Sequence, residues 1–222
     1  MQSARALFSI LILTTPFLVR GVPFLMLLRQ LNGRLPSSAR NSITALLRTS
    51  SHINSKRLCP RVDLMQLSSE LSSIRQMQGT DYYFVAINFY NNEDILPDFI
   101  LQFLQVVHVI GPSNMFVSVY ENGSSDQTKS LLQLFRVLLD SNGVTSRVIF
   151  GAEVGGIPYN VHRIDHLSEV RNKVLEPLRK GETARRASKI VFMNDITYCA
   201  SDIIDLLVQA ELQSSDITCG AV

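Results

Sequence analysis

Cysteine is scarce in this sequence: Cys59, Cys199 and Cys219 are all it has. They show neither the close pairing of a zinc site nor the density of a disulfide scaffold, and so leave the redox compartment open. A charge excess is also missing. Lys and Arg number 21 against 19 Asp and Glu, a formal net charge of +2, and the arginines are scattered, which excludes the basic footprint of a nucleic-acid-binding protein. Several signatures of α/β enzymes are absent as well. No G-x-G-x-x-G follows the first strand-like segment and no G-x-x-x-x-G-K-[ST] occurs, so dinucleotide oxidoreductases and P-loop NTPases both lose their phosphate cradle. The lack of a G-x-S-x-G removes the simplest hydrolase signature, and a soluble hydrolase-like enzyme would need a nucleophile that no motif supplies. His162 and His166 stand four apart without the intervening Glu of a zinc-protease helix, a pattern that suits a solvated helix face.

What the chain does have is apolar material, 46% of 222 residues, enough to bury one sizeable α/β core with a tail beside it. Residues 6–19 are almost uninterrupted apolar, and after Arg20 and Gly21 the run resumes from Val22 to Leu28. A membrane span needs roughly 20 apolar residues. The two runs together suffice if Arg20 snorkels to an interface. Residues 1–35 are therefore expected to be a signal anchor, with a cleaved signal peptide, an organellar presequence or a buried helix as the alternatives. Arg29, Arg34, Arg40 and Arg48 follow the apolar stretch and outweigh the charge before it, which runs against a short cytoplasmic tail. Residues 36–79, rich in Ser, Arg and Asn, read as a stem or as a loosely packed N-terminal subdomain.

From residue 80 the pattern changes. Tyr82–Asn88 is a nearly continuous apolar run, as expected of a strand buried on both faces. It ends in a polar loop and a helix with Pro97 in its first turn and Phe99, Ile100, Phe103, Leu104 and Val107 on one face. A second strand is predicted at Met115–Tyr120, then a turn and a helix capped by Ser125 or Asp126. A third strand at Ser146–Phe150 leads through a Gly-rich loop to a helix carrying Ile164, Leu167, Val170, Val174 and Leu175, with Pro177 near its end. A fourth at Lys189–Met193 is followed by a helix capped by Ser201. Strands alternating with helices indicate a mainly parallel sheet. In such sheets ligands sit outside the carboxyl ends of the strands, where three polar loops are expected.

Two of those loops carry candidate chemistry. After the second strand, Glu121 is placed to accept hydrogen bonds from a base or ribose, Gly123 permits close backbone approach, and Asp126 stands at a helix start with free N–H groups. The same pattern is ordinary turn-and-cap chemistry. Asn122–Ser124 also spells a glycosylation sequon, which a tightly held turn at a site mouth would disfavour. After the fourth strand come Asn194 and Asp195. A strand-end carboxylate there can hold a divalent metal against the departing diphosphate of a nucleotide sugar; the alternative is a cap on the following turn. Arg163 and Arg171, on the preceding helix, are candidates to share phosphate charge, although long arginines on helices are commonly solvated.

The order of these motifs resembles the fungal capsule-associated and cryptococcal α-1,3-mannosyltransferases (glycosyltransferase family 69). The matching stretches are residues 83–93, 119–128, 163–178 with Arg171-Asn172, and Phe192–Asp195 with Cys199 and residues 202–207. The resemblance covers residues 80–222. It implies a GT-A-like (Rossmann-like) fold, a single-pass type II membrane protein of the Golgi, a GDP-mannose donor, a glycan acceptor and a divalent metal such as Mn2+. Carried over by position, Asn91, Asn92, Glu93, Glu121, Asp126, Arg163 and Arg171 fall on the donor side, and Asp195 with Asn194 on the metal side. The usual D-x-D spelling is absent, since Met193 and Asn194 precede Asp195. The family continues past the point where this chain stops, into an acceptor-binding half. The competing expectation is therefore a truncated, membrane-tethered paralogue that binds or scaffolds without catalysis.

Overall fold

The computed structural model describes residues 59, 69–72, 81–151, 161–183 and 187–220. The expected anchor and most of the expected stem lie outside them. Among the described residues, no helix is long and apolar enough to cross a membrane.

Four strands, β1 (Tyr83–Phe89), β2 (Met115–Glu121), β3 (Thr145–Phe150) and β4 (Lys189–Met193), pair in parallel in the order β3-β2-β1-β4. Each lies where its apolar run predicts. The connecting helices are α1 (Leu96–Ile110), α2 (Thr128–Ser141), α3 (Arg163–Val174), the single turn α4 (Glu176–Arg179) and α5 (Ala200–Leu212), with a 3-10 turn at Pro112–Asn114 after α1. The architecture is an α/β, Rossmann-like layer sandwich.

The pleat sorts β1 into two packing sets, because successive side chains point to opposite faces. Tyr83, Val85, Ile87 and Phe89 join α1, α2 and α5 in the larger core. Tyr82, Phe84 and Ala86 meet Phe116, Tyr120 and the α3 residues Val170 and Val174 in a smaller one. Burial on both faces explains why β1 and β2 read as unbroken apolar segments rather than alternating ones. Phe99 of α1 stands at the centre of the larger core. Its ring meets Phe89, Phe135 and Tyr198 edge-on, at 4.9, 6.3 and 5.1 Å between centroids, and stacks with Phe103 at 6.0 Å. Burial, with Asp98 adding to it, holds the Tyr198 phenol well above its ordinary 10.0, so it stays neutral.

Four local expectations need correction. The helix expected to run on to Pro177 breaks at Leu175. Pro177 instead occupies the first turn of α4, because a proline inside α3 would lack the N–H and clash with the preceding turn. Ile164, expected on the buried face, is 68% exposed, whereas Val170 and Val174 are buried. The α5 cap is Cys199 rather than Ser201: the Asp202 carboxylate accepts from the Cys199 backbone N–H at 2.9 Å, closing a capping box. For α2, the N-cap position is Gln127, and Asp126 serves from one residue further out, accepting from Thr128 N at 2.9 Å.

The cysteines are not all idle. Cys59 and Cys199 form a disulfide across a sequence separation of 140, with Cα atoms 5.6 Å apart, while Cys219 is free and exposed. Leu71, from the helical turn at residues 69–72, is buried in the larger core.

Candidate functional site at the carboxyl edge of the sheet

The chain moves from β1 outward to β2 and β3 on one side of the sheet, then returns to place β4 on the other side of β1. The strand order therefore reverses between β1 and β4, and crevices at such reversals are where open α/β sheets bind ligands. The loops after β1 and β4 meet there: Asn92 Nδ2 donates to Asp195 Oδ2 at 3.3 Å. Asp195 and Asn194 are both exposed.

The loops after β1 and β2 are interlocked by side chains that bond each other's backbone. Ser125 N donates to Asn91 Oδ1 at 2.9 Å, and Asn91 N donates to Ser124 Oγ at 2.9 Å. Glu93 N donates to Asp126 Oδ2 at 3.0 Å, while Gln127 N donates to Glu93 Oε2 at 2.9 Å, so each acid holds the other's loop. Asn92 N reaches Thr128 Oγ1 at 2.8 Å, and Asn92 Oδ1 accepts from Tyr90 N at 2.7 Å. This network fixes Asn91 in left-handed backbone, φ 52°, a conformation Asn tolerates better than most residues. Burial would raise the Asp126 pKa, but hydrogen bonds from the Thr128 hydroxyl and from the Thr128 and Glu93 backbone outweigh it and hold the carboxyl below its ordinary 3.8.

Under this platform lies Glu121, 0% exposed, with one carboxylate oxygen accepting from Ser124 N. Its Oε2, and the Oδ1 of Asn88 at the end of β1, are buried and find no hydrogen-bond partner among the described residues. Gly123 turns the chain above it with φ 75°. Beside the turn, Gly151 N donates to Glu121 O at 2.7 Å, and a Cβ on Gly151 would come within 2.7 Å of that oxygen.

Of the residues singled out from sequence, the structure gathers Asn91, Asn92, Glu93, Asp126 and Asp195 into one connected rim. Glu121 lies beneath it. Asn194 is in the same β4 loop, its carbonyl accepting from Ile196 N at 2.9 Å. The arginines are not part of the network. Arg163 is exposed in the first turn of α3, and the Arg171 guanidinium lies 6.0 Å from the centre of the Phe192 ring on β4. Sequence reading passed over Asn88, Ser124 and Thr128 as site builders and left His166 to solvent; a polar residue closing an apolar strand was the available signal for Asn88. A cleft of about 570 Å³ opens beside the β2 turn, between the β2 and β3 ends and α3–α4, lined by Tyr120, Ile149, Gly151, Lys173, Glu176 and Arg179. Its polar groups bond locally, Lys173 Nζ to the Tyr120 hydroxyl at 3.2 Å and Arg179 Nη2 to Asn172 O at 2.8 Å.

The residues at the rim supply one exposed carboxylate with an adjacent asparagine. Among the described residues no group of three or more His, Cys, Asp or Glu is disposed to hold a metal. A full protein cage is thus not formed, but a Mg2+-like ion shared with substrate phosphates needs only one or two carboxylates, and Asp195 fits that requirement.

A polar, carboxylate-bearing crevice at the strand-order reversal of a parallel α/β sheet is where such sheets take their ligands. Comparison makes the assignment sharper. The family described as "Cryptococcal mannosyltransferase 1" matches residues 82–221, and the chain belongs to it. It is 31% identical over 145 residues to the alpha-1,3-mannosyltransferase CMT1 of Cryptococcus neoformans var. neoformans, a match covering 61% of this chain and 31% of that protein. The chain thus spans about a third of the relative's length. No solved structure matches it.

Proposed function

We propose that residues 80–222 form the donor half of a GT-A-like mannosyltransferase, taking GDP-mannose at the carboxyl edge of the sheet and serving mannose transfer to a glycan. The observation that carries the reading is the Asn92–Asp195 contact, which joins the β1 and β4 loops at the strand-order reversal in a member of the mannosyltransferase family. Asp195, with Asn194 beside it, would hold Mn2+ against the donor diphosphate; the metal would supply charge neutralisation for the leaving group. Asn92 orients the Asp195 carboxylate. Asn91, Glu93 and Asp126 keep the two neighbouring loops in register, while Arg163 and Arg171 stand on α3 outside that network. Glu121 Oε2 and Asn88 Oδ1, buried and without a hydrogen-bond partner among the described residues, would have to be uncovered to meet the N–H or hydroxyl donors of a nucleoside.

The Cys59–Cys199 disulfide supports folding in an oxidising compartment, in keeping with a Golgi lumenal domain behind a type II anchor at residues 1–35. Those residues fused to a reporter should resist carbonate extraction from membranes; a freely soluble reporter would remove the anchor.

Calorimetric titration of the purified chain with GDP-mannose, with and without Mn2+, tests the donor reading. Metal-dependent binding that GDP displaces supports it. Absence of binding by chain whose folding is shown by circular dichroism would sink it.

A further inference from the structure

His166 stands four residues into α3 and belongs to neither apolar cluster. Its Nε2 lies 3.2 Å from Asn122 Nδ2. The two groups suit each other in either ring tautomer: the amide N–H donates to a neutral Nε2, or a rotated carboxamide accepts from Nε2–H. Asn122 is the first residue past β2, and its backbone N–H donates to Phe89 O at 3.0 Å, extending the β1–β2 ladder one step beyond the sheet. It therefore touches β1 through its backbone and α3 through its side chain, at the rim rather than in the core. The helix end is itself ordered, with His162 Nδ1 accepting from Ile164 N at 3.3 Å and His166 N donating to His162 O at 3.1 Å. Arg163 and His166 are three apart and share a face of α3. Fixing the His166 ring on Asn122 thus also fixes where Arg163 stands relative to the turn at residues 121–126.

We propose that His166 is a positioning residue of the donor site: acting through Asn122, it fastens the first turn of α3 to the β2 turn and so sets the wall that a nucleotide sugar would meet beside that turn. This rests on the donor reading above. Without the contact, the α3 end and the β2 turn move independently, and a ligand that needs both must order them on binding.

The test is a double-mutant cycle on GDP-mannose affinity, measured by calorimetry on the full chain with Mn2+. His166→Ala should weaken binding roughly 3- to 10-fold, the scale of one lost positioning hydrogen bond, and His166→Gln, which keeps an amide partner for Asn122, should restore most of it. In an Asn122→Ala background, His166→Ala should add nothing, since its route to the ligand is gone. Should His166→Ala fail to fold, His166→Phe keeps the ring and removes both nitrogens, with the same expectations. Wild-type chain that binds donor beside a His166→Ala chain that binds it equally, or effects that add in full across the cycle, would overturn the role of His166 alone. Folded wild-type chain that does not bind GDP-mannose would overturn the donor reading and this inference together.

Discussion

The aromatic layer beneath the sheet and the polar rim at its carboxyl edge are built from opposite materials. In the layer, Phe99, Phe103, Phe135 and Tyr198 pack ring against ring, all but out of reach of water. At the rim, Asn91, Asn92, Glu93 and Asp126 carry little apolar burial and hold each other through side-chain-to-backbone hydrogen bonds between residues about 34 apart. A hydrogen bond nets only about 0.5–1.5 kcal/mol, and a buried aromatic ring several times that. The layer therefore decides whether the domain folds, and the rim decides the shape it presents once folded.

Substitutions can break that division. Phe99→Ala should cost about 3–5 kcal/mol, read as a fall in the urea midpoint; a loss below about 1 kcal/mol would show that the ring cluster is not the main support. Next, Cys59→Ser should cost about 2–4 kcal/mol, because the disulfide closes a long loop in the unfolded chain, and a reductant should abolish the difference between variant and wild type. Asp126→Ala should cost about 1–2 kcal/mol through loss of two backbone partners. Because the folded-state pKa of Asp126 lies below 3.8, its contribution is complete above that value and is lost as the pH falls through the lower folded value. Wild type and Asp126→Asn should therefore converge in stability under acid, and a gap that widens below pH 4 would contradict the assignment. The smallest stability effect is expected at Asp195→Ala, within about 0.5 kcal/mol at this exposed position, together with loss of Mn2+-dependent GDP-mannose binding. Undiminished metal-dependent binding would remove Asp195 from the site.

Legibility in the sequence follows the same division. The strands and the apolar face of α1 were readable because burial on both sides of a sheet leaves an unbroken apolar run, and burial on one side of a helix imposes a period. Pro97 marked the start of α1 for a reason confined to its own backbone. At the rim, Asn91, Asn92, Glu93, Glu121, Asp126 and Asp195 were recognisable as polar residues at strand ends, yet nothing in their spacing revealed that Glu93 and Asp126 hold each other's loops. That pairing exists only after β1 and β2 lie side by side. The same holds for Cys59 and Cys199, whose partnership depends on the fold bringing the head of α5 to a residue far upstream. The cap at Cys199 rather than Ser201 was missed because Asp202 serves from inside the helix. Arg163 and Arg171 were recognisable as charges on one helix, but their distance from the loops was not.

The disulfide also changes how the domain bears load. With Cys59 bonded to Cys199, tension arriving from residues ahead of 59 passes across the sulfurs to the head of α5, bypassing all four strands. The sheet would then be neither sheared nor unzipped by a pull on that end. Only after reduction would the same pull travel through the chain to β1, one of the two inner strands, and peel it from its neighbours.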